Sequence, residues 1–467
     1  MKKSVTLIFF LVVIITNAQT NPAITSWLQN SSGISGRHYR MKVPVSTVVH
    51  DSLNANVQLV RYSSVDSNTA SVYVNTQGIP AYITGPFYNN PRPVAGNQNE
   101  LFKLPLHPVE STLGNIPSQA TGAATIAVLI NGVSLYSYGD GFSYKATTNT
   151  DVPTQAANGG DGVWNRNGVL AEKLGFDCSK GHPDAQWRYH HHQNPSAFNL
   201  DLLTLSTICT PYVSDGLYAI NPNEHSPLLG FAFDGFPIYG PYAYLNPLDP
   251  LSQITRMKSS YSKRAISTRT HYANGNDVTD GPAVSTAFPL GWYREDYEYI
   301  SHSESDYLDI HNGRFCVTPD YPNGTYCYFT TVDDNYNSVY PYAVGPYFYG
   351  VKLGSNLNAP VGGGTITEPV MTYTPALGIS DFTIENNGYT AFPNPSYDLL
   401  AVQSKAIVKK DLIVYLIDSR GRQIDQKTIH QGSTLCYFDT SSLYNGVYFI
   451  KIADMENSKT IKVIISK

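Results

Sequence analysis

The stretch that most constrains this chain runs from Gly181-His182-Pro183 through Tyr189-His190-His191-His192-Gln193-Asn194-Pro195. Three consecutive histidines stand between aromatic residues and a proline, and His182 lies eight residues before the first of them. Successive side chains of an extended segment point to opposite faces. Read as a strand, residues 189–193 present His190 and His192 on one face and Tyr189, His191 and Gln193 on the other. Imidazoles at i and i+2 stand roughly 6–7 Å apart along a strand, close enough to share one ligand or metal ion. His182, beside Pro183, sits in a segment able to fold back onto this strand.

The surrounding sequence favours strands and tight turns over helices. Tyr is high at 35 residues, Gly and Pro number 36 and 30, and charged residues make up only 14%. A length of 467 residues suggests two to four domains. Residues 124–130 are an apolar run, Asn131-Gly132 is a strong hairpin signal, and residues 133–138 make the return strand. Residues 164–174, followed by Gly175, are the best helix candidate. Gly139-Asp140-Gly141 and Gly160-Asp161-Gly162 read as turns. Residues 19–125 read as a separate β-rich part without evident chemistry. Residues 352–379, with Gly362-Gly363-Gly364, have linker composition, which puts a domain boundary near Ala376.

Residues 1–18 read as an export signal. Lys2 and Lys3 precede an apolar run at 5–15 that is too short to span a bilayer, and Thr16-Asn17-Ala18 offers small residues for cleavage. Its removal leaves 29 basic against 36 acidic side chains, a net charge of −7, so no basic patch for nucleic acid is expected. No transmembrane segment is expected in the mature chain. Export permits disulfides. Among the five cysteines, Cys316 with Cys327 and Cys178 with Cys209 are candidate pairs, Cys436 is left over, and reduced buried thiols are the alternative.

Tyr189-His190-His191-His192 resembles the signature of the bacterial YHYH-domain family, with His191 where that pattern has a second tyrosine. The segments Leu229-Gly230-Phe231-Ala232-Phe233-Asp234-Gly235-Phe236-Pro237 and Leu308-Asp309-Ile310-His311-Asn312-Gly313-Arg314-Phe315 follow in family order. The resemblance covers roughly residues 126–351. Residues 380–467 resemble the type IX secretion C-terminal sorting domain. Pro393-Asn394-Pro395, Asp418-Ser419-Arg420-Gly421-Arg422 and Leu443-Tyr444-Asn445-Gly446-Val447-Tyr448 carry that likeness. It implies export to the periplasm, passage across the outer membrane by the type IX machinery, and a secreted or cell-surface location. The expected fold is mainly β, a large β-rich YHYH-like domain followed by an Ig-like β-sandwich of about seven strands. The strand at 411–419 is apolar on both faces and is expected to be buried on both sides.

Three functions stay open. His190 and His192 are the leading ligands for one transition metal, copper or zinc, with His182, Asp234 and His311 as candidates to complete the site. Asp309 and His311 form a second i, i+2 pair if that segment is extended. Glu295, Asp296 and Glu298, in an aromatic setting, would suit an extracellular hydrolase, although the common hydrolase motifs are missing. A non-catalytic surface protein that binds an extracellular polymer or glycan through exposed Tyr and Trp is the third. No catalytic residue and no organic cofactor is assigned.

Overall fold

The structure is a computed structural model. It describes residues 21–467 apart from 31–32, 40–47, 86, 88–93, 113–120, 122–124, 155, 196–219, 359–363, 375–388, 405–407, 419–420 and 454–457. The expected export signal at 1–18 and Cys209 lie outside the described residues. The chain divides into two compact units between Tyr373 and Thr374.

The first unit is built on an eight-stranded mixed sheet: β1 (Thr125–Leu129), β2 (Ser134–Tyr136), β3 (Gly181–Pro183), β4 (Tyr189–His191), β5 (Leu228–Ala232), β6 (Pro237–Tyr239), β7 (Gly313–Cys316) and β8 (Thr325–Phe329). Their order is β3-β4-β2-β1-β5-β6-β8-β7, so β3 and β7 are the two edges. The β1–β2 hairpin turns at Asn131-Gly132, where Gly132 has φ +83° and the Asn131 side chain accepts the Val133 N–H at 3.1 Å. Every residue of β5 is buried, which its continuous apolar run requires. Asp234-Gly235 then turns the chain into β6, with Gly235 at φ +91°.

A second sheet of five strands packs into the same core. Its order is Ser355–Asn356, Glu100–Pro105, Ser71–Thr76, Val57–Ser63 and Val370–Tyr373. Val57, Val60, Val72, Val74, Phe102 and Leu104 share one buried cluster with Val128, Phe231, Ile238 and Phe329 of the first sheet. The described residues before 125 therefore contribute to a common core with the eight-stranded sheet and do not pack as a separate part. The expected linker at 352–379 also needs correcting. Ser355–Asn356 and Val370–Tyr373 pair with Glu100–Pro105 and Val57–Ser63 and form the outer strands of the second sheet. Edge strands this short carry a weak hydrophobic signal, and the glycines between them dominated the composition.

The helix candidate at 164–174 is shorter than its pattern. Asn165–Asn167 is a strand, Gly168–Glu172 is helical, and Lys173–Gly175 is a 3-10 turn. Asp140 lies in the strand Gly139–Lys145, not in a turn, and its carboxylate holds Arg166.

Cys178 is disulfide-bonded. Cys316 and Cys327 are buried free thiols, which corrects the expected bridge. They sit on paired strands, but Cys316 faces Thr325 and Cys327 faces Arg314, so the two are diagonal neighbours. Diagonal positions put Cα atoms about 7–8 Å apart, beyond the span of a relaxed disulfide.

The second unit is a sandwich of seven strands among the described residues. One sheet holds Tyr389–Phe392, Leu399–Ser404 and Leu435–Asp439; the other holds Gln423–Ile429, Leu412–Asp418, Gly446–Ala453 and Ser458–Ile465. Leu400, Val402 and Phe438 meet Leu412, Val414, Leu416 and Ile450 in one core. Leu412–Asp418 is buried on one face only; Ile413, on the other, is 37% exposed. The sheet has no third layer over that face among the described residues, so the apolar alternation does not mean double burial here.

The deepest ion pair in the first unit joins Arg269 to Asp296, both side chains fully buried, at 2.7 and 2.8 Å. Asp296 also accepts the N–H groups of Gly291 and Tyr293, and Arg269 donates to three carbonyls, at Pro282, Phe288 and Pro289. Removing one partner leaves a buried charge uncompensated. Asp296→Asn is expected to lower stability by about 3–5 kcal/mol in urea unfolding, well beyond the effect of a surface Asp→Asn change.

Candidate metal centre

The register of two three-residue strands assembles this site. In the antiparallel pair β3–β4, His182 stands directly opposite His190. Opposed residues share a face, and His192 follows two residues after His190, so three imidazoles meet on one side of the sheet. Ring centroids lie 4.5 Å apart for His182–His190, 4.9 Å for His190–His192 and 5.7 Å for His182–His192. All three histidines are buried.

The fourth member is Glu172, the last residue of the helix Gly168–Glu172. Its Oε2 lies 2.9 Å from His192 Nε2 and 3.2 Å from His182 Nε2. One donor atom from each of Glu172, His182, His190 and His192 lies within 4.8 Å of every other. Glu172 is the one side chain of the four open to solvent, at 26% exposure.

The outer nitrogens fix the direction of the inner ones. His190 Nδ1 pairs with the Arg188 carbonyl at 3.0 Å, and His192 Nδ1 with the Ser137 carbonyl at 2.6 Å. A carbonyl only accepts, so each Nδ1 carries the proton and each neutral ring turns its Nε2 lone pair inward. Those two Nε2 atoms are 3.1 Å apart. Lone pairs facing each other at that distance repel unless a proton or a cation lies between them. His182 Nε2 and Glu172 Oε2 are likewise buried and face only other members of the cluster, so their pairing too turns on a proton or a cation.

The metal-free electrostatics agree. Burial, then the neighbouring His182 and His192, push His190 well below its usual 6.5. Burial alone would lower His192 as well, but Glu172 overcomes it and raises that histidine. Burial would raise Glu172, yet His192 and His182 hold it far below the usual carboxylate range. One proton on His192, shared with Glu172, is thus how the empty cluster balances its charge.

Neighbours lock this arrangement. Tyr136 stacks on His190 with ring centroids 3.9 Å apart, and Phe176 meets the edge of His182 at 4.9 Å. The Asp177 carboxylate accepts the N–H groups of Ser179, Gly181 and Gly85 and the Tyr189 hydroxyl, which pins the turn before β3. Burial pushes that carboxyl up to about 7. A Cβ at Gly181 would lie 2.4 Å from the Tyr189 hydroxyl, so no larger residue fits there. Arg188, between the histidines and the β3–β4 turn, is anchored by buried Glu100 at 2.7 Å.

His191 faces the opposite way, as alternation requires. Its Nε2 meets the Tyr82 hydroxyl at 2.5 Å, and burial pushes it down to about 3. The structure does not bring Asp234 or His311 to the cluster. Asp234 accepts the Tyr328 hydroxyl at 2.5 Å and the Gly350 N–H at 2.8 Å, tying the β5–β6 turn to a distant loop. His311 pairs with the Tyr347 carbonyl at 3.0 Å. Residues 309–312 form a turn, with Asn312 N–H on the Asp309 carbonyl and Asn312 at φ +64°, so Asp309 and His311 do not alternate along a strand. Glu172 went unread because nothing local marks it. Its one clue is position, at the end of a helix that stops before Gly175 and leads straight to β3.

A family model described as YHYH protein matches residues 101–340, and one described as secretion system C-terminal sorting domain matches residues 390–466. No curated protein matches the sequence. Among solved structures, the chain is similar to a DUF3244 family protein with an immunoglobulin-like β-sandwich fold from Bacteroides vulgatus, with 16% identity, 17% of this chain and 84% of that chain covered, and a TM-score of 0.15. The sorting domain marks the protein for secretion and cell-surface attachment through type IX secretion. The first match takes in the helix ending at Glu172 and all three inward-facing histidines, and it spans more than half of the sequence: the chain belongs to the YHYH protein family.

Proposed function

We propose that this exported YHYH protein holds one metal ion, of the zinc class, between Glu172, His182, His190 and His192. The observation that carries the reading is the inward convergence of four donor atoms that face one another, all within 4.8 Å. Ligands about 2.0–2.1 Å from a tetrahedral ion stand ~3.3 Å from one another. Three of the six donor pairs, at 2.9, 3.1 and 3.2 Å, stand close to that spacing, and all six lie within 4.8 Å. Three imidazoles and a carboxylate, without thiolate or thioether, disfavour Cu(I), and a compact three-dimensional cluster disfavours the square-planar preference of Cu(II).

Four protein ligands close the coordination shell, the pattern of a structural zinc. The ion would clamp the β3–β4 hairpin to the end of the preceding helix, and the solvent-facing side of Glu172 is its entry path. Hydrolysis by the acidic run at 295–298 has less support. Asp296 is taken up by Arg269, and Glu295 holds the backbone N–H and side-chain amide of Asn165 at 2.7 and 2.9 Å.

Elemental analysis of the purified protein is expected to give one equivalent of zinc. The His190→Ala/His192→Ala double variant and Glu172→Ala should lose it, while Asp234→Asn and His311→Ala keep it. At free zinc a thousand times Kd, binding adds about 4 kcal/mol of stability, so a chelator should lower Tm by several degrees. A metal-free protein with a chelator-independent Tm overturns the reading. His191→Tyr is expected to keep full zinc per folded molecule, though filling a fully buried site costs about 1–3 kcal/mol of stability.

Zinc needs neutral His192, so apparent affinity should fall as pH drops below that group's raised value. In the metal-free protein the sign is the reverse for stability. The raised His192 contributes fully below 6.5 and loses its contribution as pH rises through its folded value; the lowered Glu172 contributes above 4.5 and fades as pH falls through its folded value. The ion pair is therefore strongest between those two limits. Glu172→Gln should shift the His192 titration downward in NMR of the metal-free protein.

A further inference from the structure

At the opposite edge of the eight-stranded sheet from the histidines lies a second reactive cluster. Cys316 ends the edge strand β7, and Cys327 lies on β8, its only sheet neighbour among the described residues. Both are buried free thiols on the same face of the hairpin, diagonal to each other across the β7–β8 pair, and Cys327 Sγ also reaches the Thr325 carbonyl at 3.6 Å. Arg314, two residues before Cys316 on β7 and directly opposite Cys327 on β8, brings its guanidinium to the same face. That guanidinium is held in place by the Ser305 carbonyl at 2.7 Å and the Tyr244 carbonyl. Between the two, Phe315 points outward and is 54% exposed, so the strand that carries Cys316 has water on its other face.

We propose that Cys316 and Cys327 are a redox-responsive thiol pair, in which Cys316 attacks a small-molecule disulfide met outside the cytoplasm and Cys327 resolves the mixed disulfide. The asymmetry of the pair supports those roles. The Cys327 thiol and Arg314 lower Cys316, whereas burial and the proximity of Cys316 raise Cys327 well above the ordinary thiol value. The thiolate is the nucleophile, so the lowered thiol reacts first. In the first step the Cys316 thiolate bonds to one sulfur of the donor disulfide, and the other donor sulfur leaves as a thiolate and takes a proton. In the second, Cys327 gives up its proton and bonds to Cys316, expelling the second donor thiol. Two protein thiols are oxidised and one donor disulfide is reduced to two thiols.

The diagonal register makes the product labile. Closing the bridge must drag β7 along β8, and disulfides that need such displacement hold higher reduction potentials. An edge strand has one neighbour to slide against, so this is where the sheet can yield. The pair acts as a switch at the sheet edge and does not depend on any metal at the histidines.

The test uses the full-length protein in oxidised and reduced glutathione, with intact-mass measurement and peptide mapping. The native protein should lose two hydrogens between Cys316 and Cys327, and reduced glutathione should restore them. Cys327→Ser should accumulate a glutathione adduct on Cys316, whereas Cys316→Ser should form one on Cys327 about tenfold more slowly or worse, and Arg314→Lys should slow the wild-type reaction. If the native protein keeps both thiols for hours in excess oxidised glutathione while the urea-unfolded chain reacts, the pair is structural and the proposal fails. Equal adduct rates at the two positions overturn the assigned roles. The wild-type mass shift decides the main point even where a serine variant fails to fold.

Discussion

Two backbone carbonyls decide what the histidine cluster can be. Arg188 and Ser137 each accept a proton from the outward nitrogen of an imidazole, and that choice turns the other nitrogen into an inward acceptor. Had a hydrogen-bond donor faced either outward nitrogen instead, that ring could carry its proton on the inward nitrogen and donate it to its neighbour, and the cluster would be an ordinary buried network of neutral rings. With the carbonyls in place, it becomes a convergence of lone pairs that only a positive charge relieves. Much of the nearby structure serves that geometry. Asp177 holds the turn that leads into β3, Glu100 holds Arg188 and therefore its carbonyl, and Tyr136 covers the His190 ring.

This dependence explains which parts of the site were legible in the sequence. Alternation along a strand is a local rule, so the shared face of His190 and His192 and the opposite face of His191 could be read directly. His182 was a candidate because a hairpin could return it; the direct opposition to His190 rests on turn geometry that Asp184 fixes by accepting the N–H groups of Gln186 and Arg188. Glu172 was illegible because its role depends on where a five-residue helix ends, and the apolar pattern at 164–174 promised a longer one. Asp234 and His311 attracted attention by residue type alone. Each is instead spent on backbone, and residue type does not distinguish a ligand from a loop anchor.

The fold was legible in the same uneven way. Strong hairpin chemistry at Asn131-Gly132 and the buried run at 228–232 came through, as did the seven-stranded sandwich of the second unit. What failed was the partition of the first unit. Its five-stranded sheet draws on residues from both ends of the unit, with Val370–Tyr373 pairing Val57–Ser63 across more than three hundred residues of sequence. Non-local pairing leaves no local trace beyond a few β-branched residues, and turn-rich composition then looks like a linker.

The edges of the large sheet bring these strands of argument together. An exported chain must protect exposed strand edges from pairing with other chains. Here the edge strands β3 and β7 are three and four residues long, too short to be held firmly by backbone hydrogen bonds alone. Each carries the most reactive side chains of its neighbourhood, His182 on β3 and Cys316 on β7. Side-chain chemistry at such a place has leverage that it would lack in a central strand. A bond formed there fixes the strand least constrained by its neighbours, and a bond broken there frees it without unpicking the core. The central strands β1, β5 and β6 of the same sheet, by contrast, bury Val128, Phe231 and Ile238, which have nothing to exchange. The proposed metal clamp and the proposed thiol pair therefore follow from one architectural fact, a wide sheet whose two borders are short and whose central strands are largely apolar.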